Sequence, residues 1–130
     1  GYLAQQKLSE AARSAAELLA VVSAKTRPAR YSEAAWRAKQ TVLTHRAHFI
    51  AGASGCERES WTECDTHLRL VNDPANAANI NFYLGLANYR LGKLDDALKF
   101  SQAAAAVAGP MQAPAQRNAA AIQQEMRTKK

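Results

Sequence analysis

The sequence predicts an all-α fold, and three observations carry that prediction. The chain is rich in alanine and holds only 7% Phe, Trp and Tyr, a balance that favours helix over strand. Apolar residues recur at helical spacing in one segment after another, with no run of strict alternation. The four prolines, Pro28, Pro74, Pro110 and Pro114, all fall where those segments end. At 130 residues the chain is long enough for one domain with a real core. The expected architecture is a single domain of about six helices, arranged as three antiparallel helical hairpins.

Residues 2–23 form the first element. Leu8, Ala11, Ala12, Ala15, Leu18, Leu19 and Val22 make the i, i+3, i+4, i+7 stripe of an amphipathic helix. Lys25 to Tyr31 breaks it at Pro28, and Ser32 reads as the N-cap of a long helix from Glu33 to about Gly55. Trp36, Leu43, Ala47, Ile50 and Ala51 share one side of that helix. Gly52, Gly55 and the polar run Glu57–Ser60 loosen the chain before a shorter helix from about Ser60 to Val71. Asn72-Asp73-Pro74 is a turn, because proline disfavours helix at the residue before it. Helix resumes from about Ala75 to Leu91, breaks at Gly92, and continues from Leu94 to Ala108. Gly109-Pro110 ends that segment, and Ala113 to Arg127 makes the last helix before a basic tail. These segments divide the chain into an N-terminal helix (2–23), two hairpins (33–72 and 75–109) and a closing helix (113–127).

A shift of 33 residues superposes the two hairpins. It aligns Ala51 with Leu84, Gly52 with Gly85, Trp61 with Leu94, Cys64 with Ala97, and Val71 with Ala104. A mid-helix glycine costs about 1 kcal/mol against alanine. It is tolerated where a partner helix crosses so closely that no side chain fits, and Ala97 or Cys64 supplies the small residue opposite. In 78–110, Leu84-Gly85, Tyr89, Gly92-Lys93-Leu94, Asp95-Asp96-Ala97, Phe100, Ala104 and Pro110 together resemble a tetratricopeptide repeat, whose period is ~34 residues. The earlier copy, about 45–73, is degenerate and keeps Gly52, Trp61, Cys64, Leu68 and Val71. Two positions depart from the family pattern: Asn88 stands where a large apolar residue is usual, and Pro110 is displaced by one. The resemblance implies a right-handed superhelical stack in which the first helix of each hairpin lines a concave, peptide-docking surface.

Projection of Ile80–Leu91 at helical spacing separates two apolar faces. Ile80, Leu84, Ala87 and Leu91 lie on one side, and Phe82, Leu86 and Tyr89 on the other. By resemblance, Phe82, Leu86, Tyr89 and Arg90 line the concave surface, with Arg46 and Phe49 as their counterparts in the preceding copy. The competing reading is that Phe82, Leu86 and Tyr89 pack on a neighbouring hairpin. A clamp for C-terminal carboxylates, which some tetratricopeptide domains carry, is not recognisable, because Phe82 and Leu86 occupy positions that would need polar donors.

The formal net charge is +6. The excess is concentrated in Lys25, Arg27, Arg30, Arg37, Lys39 and Arg46, with Glu33 the lone acid among them, a pattern that suits a solvated face or an acidic partner. No helix-turn-helix or aromatic-interleaved pattern accompanies it. His45 with His48, and Cys64 with His67, are each spaced i, i+3. Zinc is not expected from them, because Cys64 is explained as a packing residue and the first two histidines are placed away from the turn. Cys56 and Cys64 are ~12 Å apart if they share one helix, but come within reach across a turn. Free cysteines are the expectation and a disulfide the alternative, the latter pointing to an oxidising compartment. No catalytic constellation, cofactor motif or window of ~18 apolar residues is present. The chain opens on Gly1 rather than methionine, so a piece of a longer protein is expected, cytoplasmic or periplasmic. The functional expectation is a non-catalytic protein-interaction or scaffold module. The alternatives are binding of nucleic acid or an acidic surface through 25–46, and homo-oligomerisation through the alanine-rich first helix.

Overall fold

The computed structural model describes residues 2–22 and 27–128; within the first helix the side chains of 2–5, 8, 21 and 22 lie outside the description. The side chains of Leu8 and Val22 of the first stripe, together with Lys25 of the basic stretch and the final two lysines, therefore lie outside the description. The described chain is all-helical: α1 (Tyr2–Val22), α2 (Glu33–Glu57), α3 (Trp61–Leu68), α4 (Ala77–Arg90), α5 (Leu94–Ala105) and α6 (Gln112–Thr128), with a single 3₁₀ turn at Pro74–Asn76 leading into α4.

Local chemistry accounts for most of the boundaries. Ser32 caps α2, its hydroxyl accepting from the Ala35 amide at 3.1 Å. The α2 helix runs through Gly52 and Gly55 to Glu57 rather than loosening there, because α3 crosses directly over both glycines. The α3 helix stops at Leu68, three residues before the expected end. Leu70 and Val71 donate to the carbonyls three residues back, and Asp73 is extended ahead of Pro74. In α6, Pro114 sits in the first turn, where a missing N–H leaves no helical bond unmade.

The 33-residue period is written into the backbone hydrogen bonds. At the end of α2, Glu59 donates to Cys56 O (3.0 Å) and Ser60 to Gly55 O (2.7 Å). At the end of α4, Gly92 donates to Tyr89 O (3.1 Å) and Lys93 to Asn88 O (2.8 Å). Both are Schellman closures, which need a left-handed residue after the helix. Gly92 supplies it with φ 79°, and Glu59 supplies the same conformation with φ 63°, at a cost of about 1–2 kcal/mol for a residue with a side chain.

The helix crossings match as well. A Cβ on Gly52 would lie 2.5 Å from Leu68 Cγ, and a Cβ on Gly85 would lie 2.5 Å from Ser101 Oγ. Leu68 and Ser101 are themselves 33 apart. The residue facing Gly85 is therefore Ser101, with Ala97 contributing its carbonyl oxygen at 3.4 Å from the same position, rather than the Ala97 side chain expected from the alignment. Ala97 and Cys64 are both fully buried, as small residues at a crossing should be. Gly52→Val is expected to cost about 2–3 kcal/mol in urea unfolding, because the backbone nitrogen of Leu68, 3.1 Å from the added Cβ, cannot swing away as a side chain can.

Each helix packs on its neighbour in sequence. In addition α2 touches α4 and α4 touches α6, while the backbones of α3 and α5 do not approach one another among the described residues. Helices α2, α4 and α6 thus form a continuous layer, with α1, α3 and α5 against it. The main core gathers Leu68, Ile80, Leu84 and Ala87 around Cys56 and Cys64. A smaller one joins Ala15 of α1 to Ala47 and Ala51 of α2, flanked by Leu18, Leu19 and Ile50. The described part of the α1 stripe is spent on α2 within the chain.

Cys56 and Cys64 are bonded to one another, with Cα atoms 5.1 Å apart, and both described cysteines are accounted for by that bond. The expectation of free thiols is corrected. Because α2 persists through Gly55, Cys56 sits in its last turn, directly across from Cys64 in the first turn of α3.

Candidate functional site

The six residues expected to line a partner surface separate into two clefts and one packing position. Arg46 and Phe49 of α2 belong to a cleft of about 460 Å³. Val42 and His45 complete its helical wall, and Val71, Asn72, Asp73 and Asn76 of the α3–α4 connection form the other. Val42 is 58% exposed. Phe49 also packs against the main core, so only part of its ring serves the cleft. Asn76 holds the Asp73 carboxylate, donating from Nδ2 at 2.7 Å, while no ion pair engages Arg46 among the described residues. The cleft therefore presents Arg46 on one wall and the Asp73 carboxylate on the other, beside aliphatic and aromatic surface.

Leu86, Tyr89 and Arg90 of α4 lie in a second cleft, of about 230 Å³, closed by Asn118, Ala121 and Ile122 of α6. Leu86 is half-buried and Tyr89 38% exposed, so this face is shared between α6 and solvent. The Arg90 guanidinium lies over the Trp61 ring, 5.6 Å from its centroid, which draws it back toward α3. Phe82 lines neither cleft. It is half-buried with its ring edge-on to Tyr83, 6.0 Å between centroids.

A buried polar network lies behind these clefts. Asn88, the residue that departs from the repeat pattern, is fully buried in α4. Its Nδ2 donates to Asp65 Oδ1 and to Leu84 O, both at 2.8 Å, and its Oδ1 accepts from Arg69 at 3.2 Å. Arg69 also donates to Asp65 at 2.8 Å and Asp96 at 3.5 Å, and its guanidinium lies 5.1 Å from the Phe100 ring centroid. One arginine thus ties α3, α4 and α5 together. The Tyr83 hydroxyl donates to Glu57 at 2.9 Å. Burial first, then the bond to Glu57 and its charge, raise the phenol above its ordinary pKa, so it stays a donor.

The basic stretch is exposed and stacked on aromatics. Tyr31 and Trp36 rings lie 5.6 Å apart, Arg30 sits 5.0 Å and Lys39 5.9 Å from the Tyr31 centroid, and Arg37 pairs with Glu33. Sequence spacing did not reveal this cluster, because Tyr31 lies in the loop and reaches Trp36 only once Ser32 starts the helix.

The histidines also differ from expectation. His48 and His67 meet across α2 and α3, Nδ1 to Nδ1 at 2.8 Å. His48 was expected at the end of its helix away from the turn, beyond the reach of α3. In fact α3 runs back along α2 far enough for its seventh residue to come opposite His48. No group of three His, Cys, Asp or Glu suited to hold a metal ion occurs among the described residues, and no helix among them is long and apolar enough to cross a membrane. No protein-family model matches the chain, nor does any curated protein or solved structure show significant similarity to it.

Proposed function

We propose that this chain is a non-catalytic, tetratricopeptide-like interaction module that holds a peptide segment of a partner protein against the α2–α4–α6 layer. The observation that carries this reading is the composition of the two clefts beside that layer: each sets an arginine next to half-exposed apolar side chains, Arg46 with Val42 and Phe49, and Arg90 with Leu86 and Tyr89. Such surfaces suit a segment with apolar anchors and neighbouring carboxylates, the anchors giving affinity and the charges fixing register. The Cys56–Cys64 bond supports a working location in an oxidising compartment, where disulfides persist.

Selection of a random displayed-peptide library on the oxidised domain tests the reading. The selected peptides are expected to be acidic with an aliphatic or aromatic anchor. Arg46→Glu, a change on an exposed side chain, is expected to weaken them by about tenfold or more. Leu86→Ser with Tyr89→Ser probes the second cleft. If no peptide is enriched, or if the enriched peptides ignore all three substitutions, the reading fails.

A further inference from the structure

Two turns back from the disulfide, the α2–α3 hairpin is held by a second and quite different link. Nδ1 of His48 and Nδ1 of His67 are 2.8 Å apart, and the ring centroids 5.1 Å. The two nitrogens face one another head-on, as in an N–H···N hydrogen bond, rather than converging on a common third point as metal ligands would. A neutral imidazole offers one donor and one acceptor, so the contact needs at least one ring unprotonated at Nδ1. His67 is the seventh residue of an eight-residue helix. The pair is therefore at the open end of the hairpin, where the chain leaves for Val71 and Asn72, the far wall of the α2 cleft.

We propose that the His48–His67 pair is a proton-operated clasp, which fixes the end of α3 and the adjoining cleft wall at neutral pH and releases them in mild acid. Its surroundings leave the pair to respond as a histidine pair. Burial opposes protonation of His48, and so do the charges of His67 on α3 and His45 on α2, the two groups whose charge acts on it. On α3, Glu63 is engaged by Arg58 and Asp65 by Arg69 and Asn88. In the α3–α4 connection, Asp73 is held by Asn76. The charged residue of α4 is Arg90, stacked on Trp61. On α1, Glu10, Arg13 and Glu17 are exposed. No carboxylate is among the groups whose charge acts on His48. A first added proton sits at Nε2 of the donor ring and leaves the Nδ1 contact intact; a second makes both rings imidazolium, so both Nδ1 atoms carry hydrogen and the rings must part.

The sign follows from the depressed affinity of His48 for protons. Above the ordinary histidine value of about 6.5, folded and open forms bind the same number of protons and the clasp contributes fully. Below it the open form takes up a proton that the closed form refuses, so closure weakens as pH falls.

Native-state amide exchange, corrected for the intrinsic pH dependence, reads this directly. Arg69, Leu70 and Val71 donate to Asp65, His67 and Leu68, and their protection should fall below about pH 6.5. The limit for one proton is about tenfold per pH unit, while α4 and α5 hold theirs to about pH 5.5. In His67→Gln the same amides should be less protected and insensitive to pH in this window, and His48→Gln should behave alike. Imidazole ¹⁵N spectra of the unaltered chain give an independent reading, with one Nδ1 proton shared by the pair at neutral pH. Equal acid sensitivity in the variants, an even loss across all six helices, or two rings titrating independently at the ordinary value would each overturn the proposal.

Discussion

Reduction of the Cys56–Cys64 bond is expected to lower the stability of the domain by about 2–3 kcal/mol, the loop-entropy value for so short a ring. For a chain of this size that corresponds to a fall of about 10 °C in Tm. The reason lies in how little else holds α3. It has eight residues, fewer than an isolated helix needs to persist in water, and its turn carries the left-handed Glu59. With the bond intact, the first turn of α3 stays beside the last turn of α2 even in the unfolded chain. Thermal unfolding followed by circular dichroism, with and without reductant and in the Cys56→Ser, Cys64→Ser double variant, measures the effect. The double variant should track the reduced protein and should keep most of its helix at 20 °C, because the glycine crossings and the main core remain. A Tm unchanged by reductant would show that packing alone fixes the hairpin.

Asn88→Ala is expected to be as damaging, at about 2–4 kcal/mol, although it removes only a neutral side chain. Its amide fills a fully buried site and satisfies Asp65, itself only 9% exposed, together with the Leu84 carbonyl. Truncation leaves a cavity and withdraws a hydrogen bond from a buried carboxylate, each a costly change. Asn88→Leu restores volume but not the donor, so it should recover only part of the loss. A double-mutant cycle with Asp65→Ala separates the terms. A coupling of about 1 kcal/mol or more identifies the Asn88–Asp65 bond as the source, and additivity within experimental error would assign the whole effect to the cavity. Urea unfolding supplies all four free energies.

Much of the fold was legible because backbone chemistry announces itself locally. Ser32 caps a helix wherever it can reach the third amide. Gly92 marks a left-handed turn, and Gly52 and Gly85 mark crossings, because each position admits nothing larger without a shift of the chain. Side-chain partnerships between helices were less legible, since they depend on where each helix ends. The disulfide stood only as the alternative, because the two cysteines are ~12 Å apart if they share one helix and come together only across a turn whose place the sequence leaves loose. The histidine pair was missed because His48 was placed at the far end of α2, although it lies close enough to the end of that helix for α3 to reach it. Of the candidate site residues, Arg46, Phe49, Leu86, Tyr89 and Arg90 do line clefts. Phe82 does not, because its face of α4 is half covered and its ring turns toward Tyr83. The Asp65–Arg69–Asn88 network left one trace in the sequence, an asparagine amid the apolar residues of α4.

The two hairpin turns reach the same conformation under different rules of inheritance. The second depends on Gly92, and almost any replacement there must adopt a backbone shape that side chains resist. The first places Glu59 in that shape and ties its flanks with a covalent bond. Closure there no longer hangs on a glycine, so position 59 can change while the hairpin keeps its register and Glu57 and Arg58 stay tied to Tyr83 and Glu63. The bonded turn thus tolerates a side chain in the left-handed position, and the glycine turn has no such tie to hold one there.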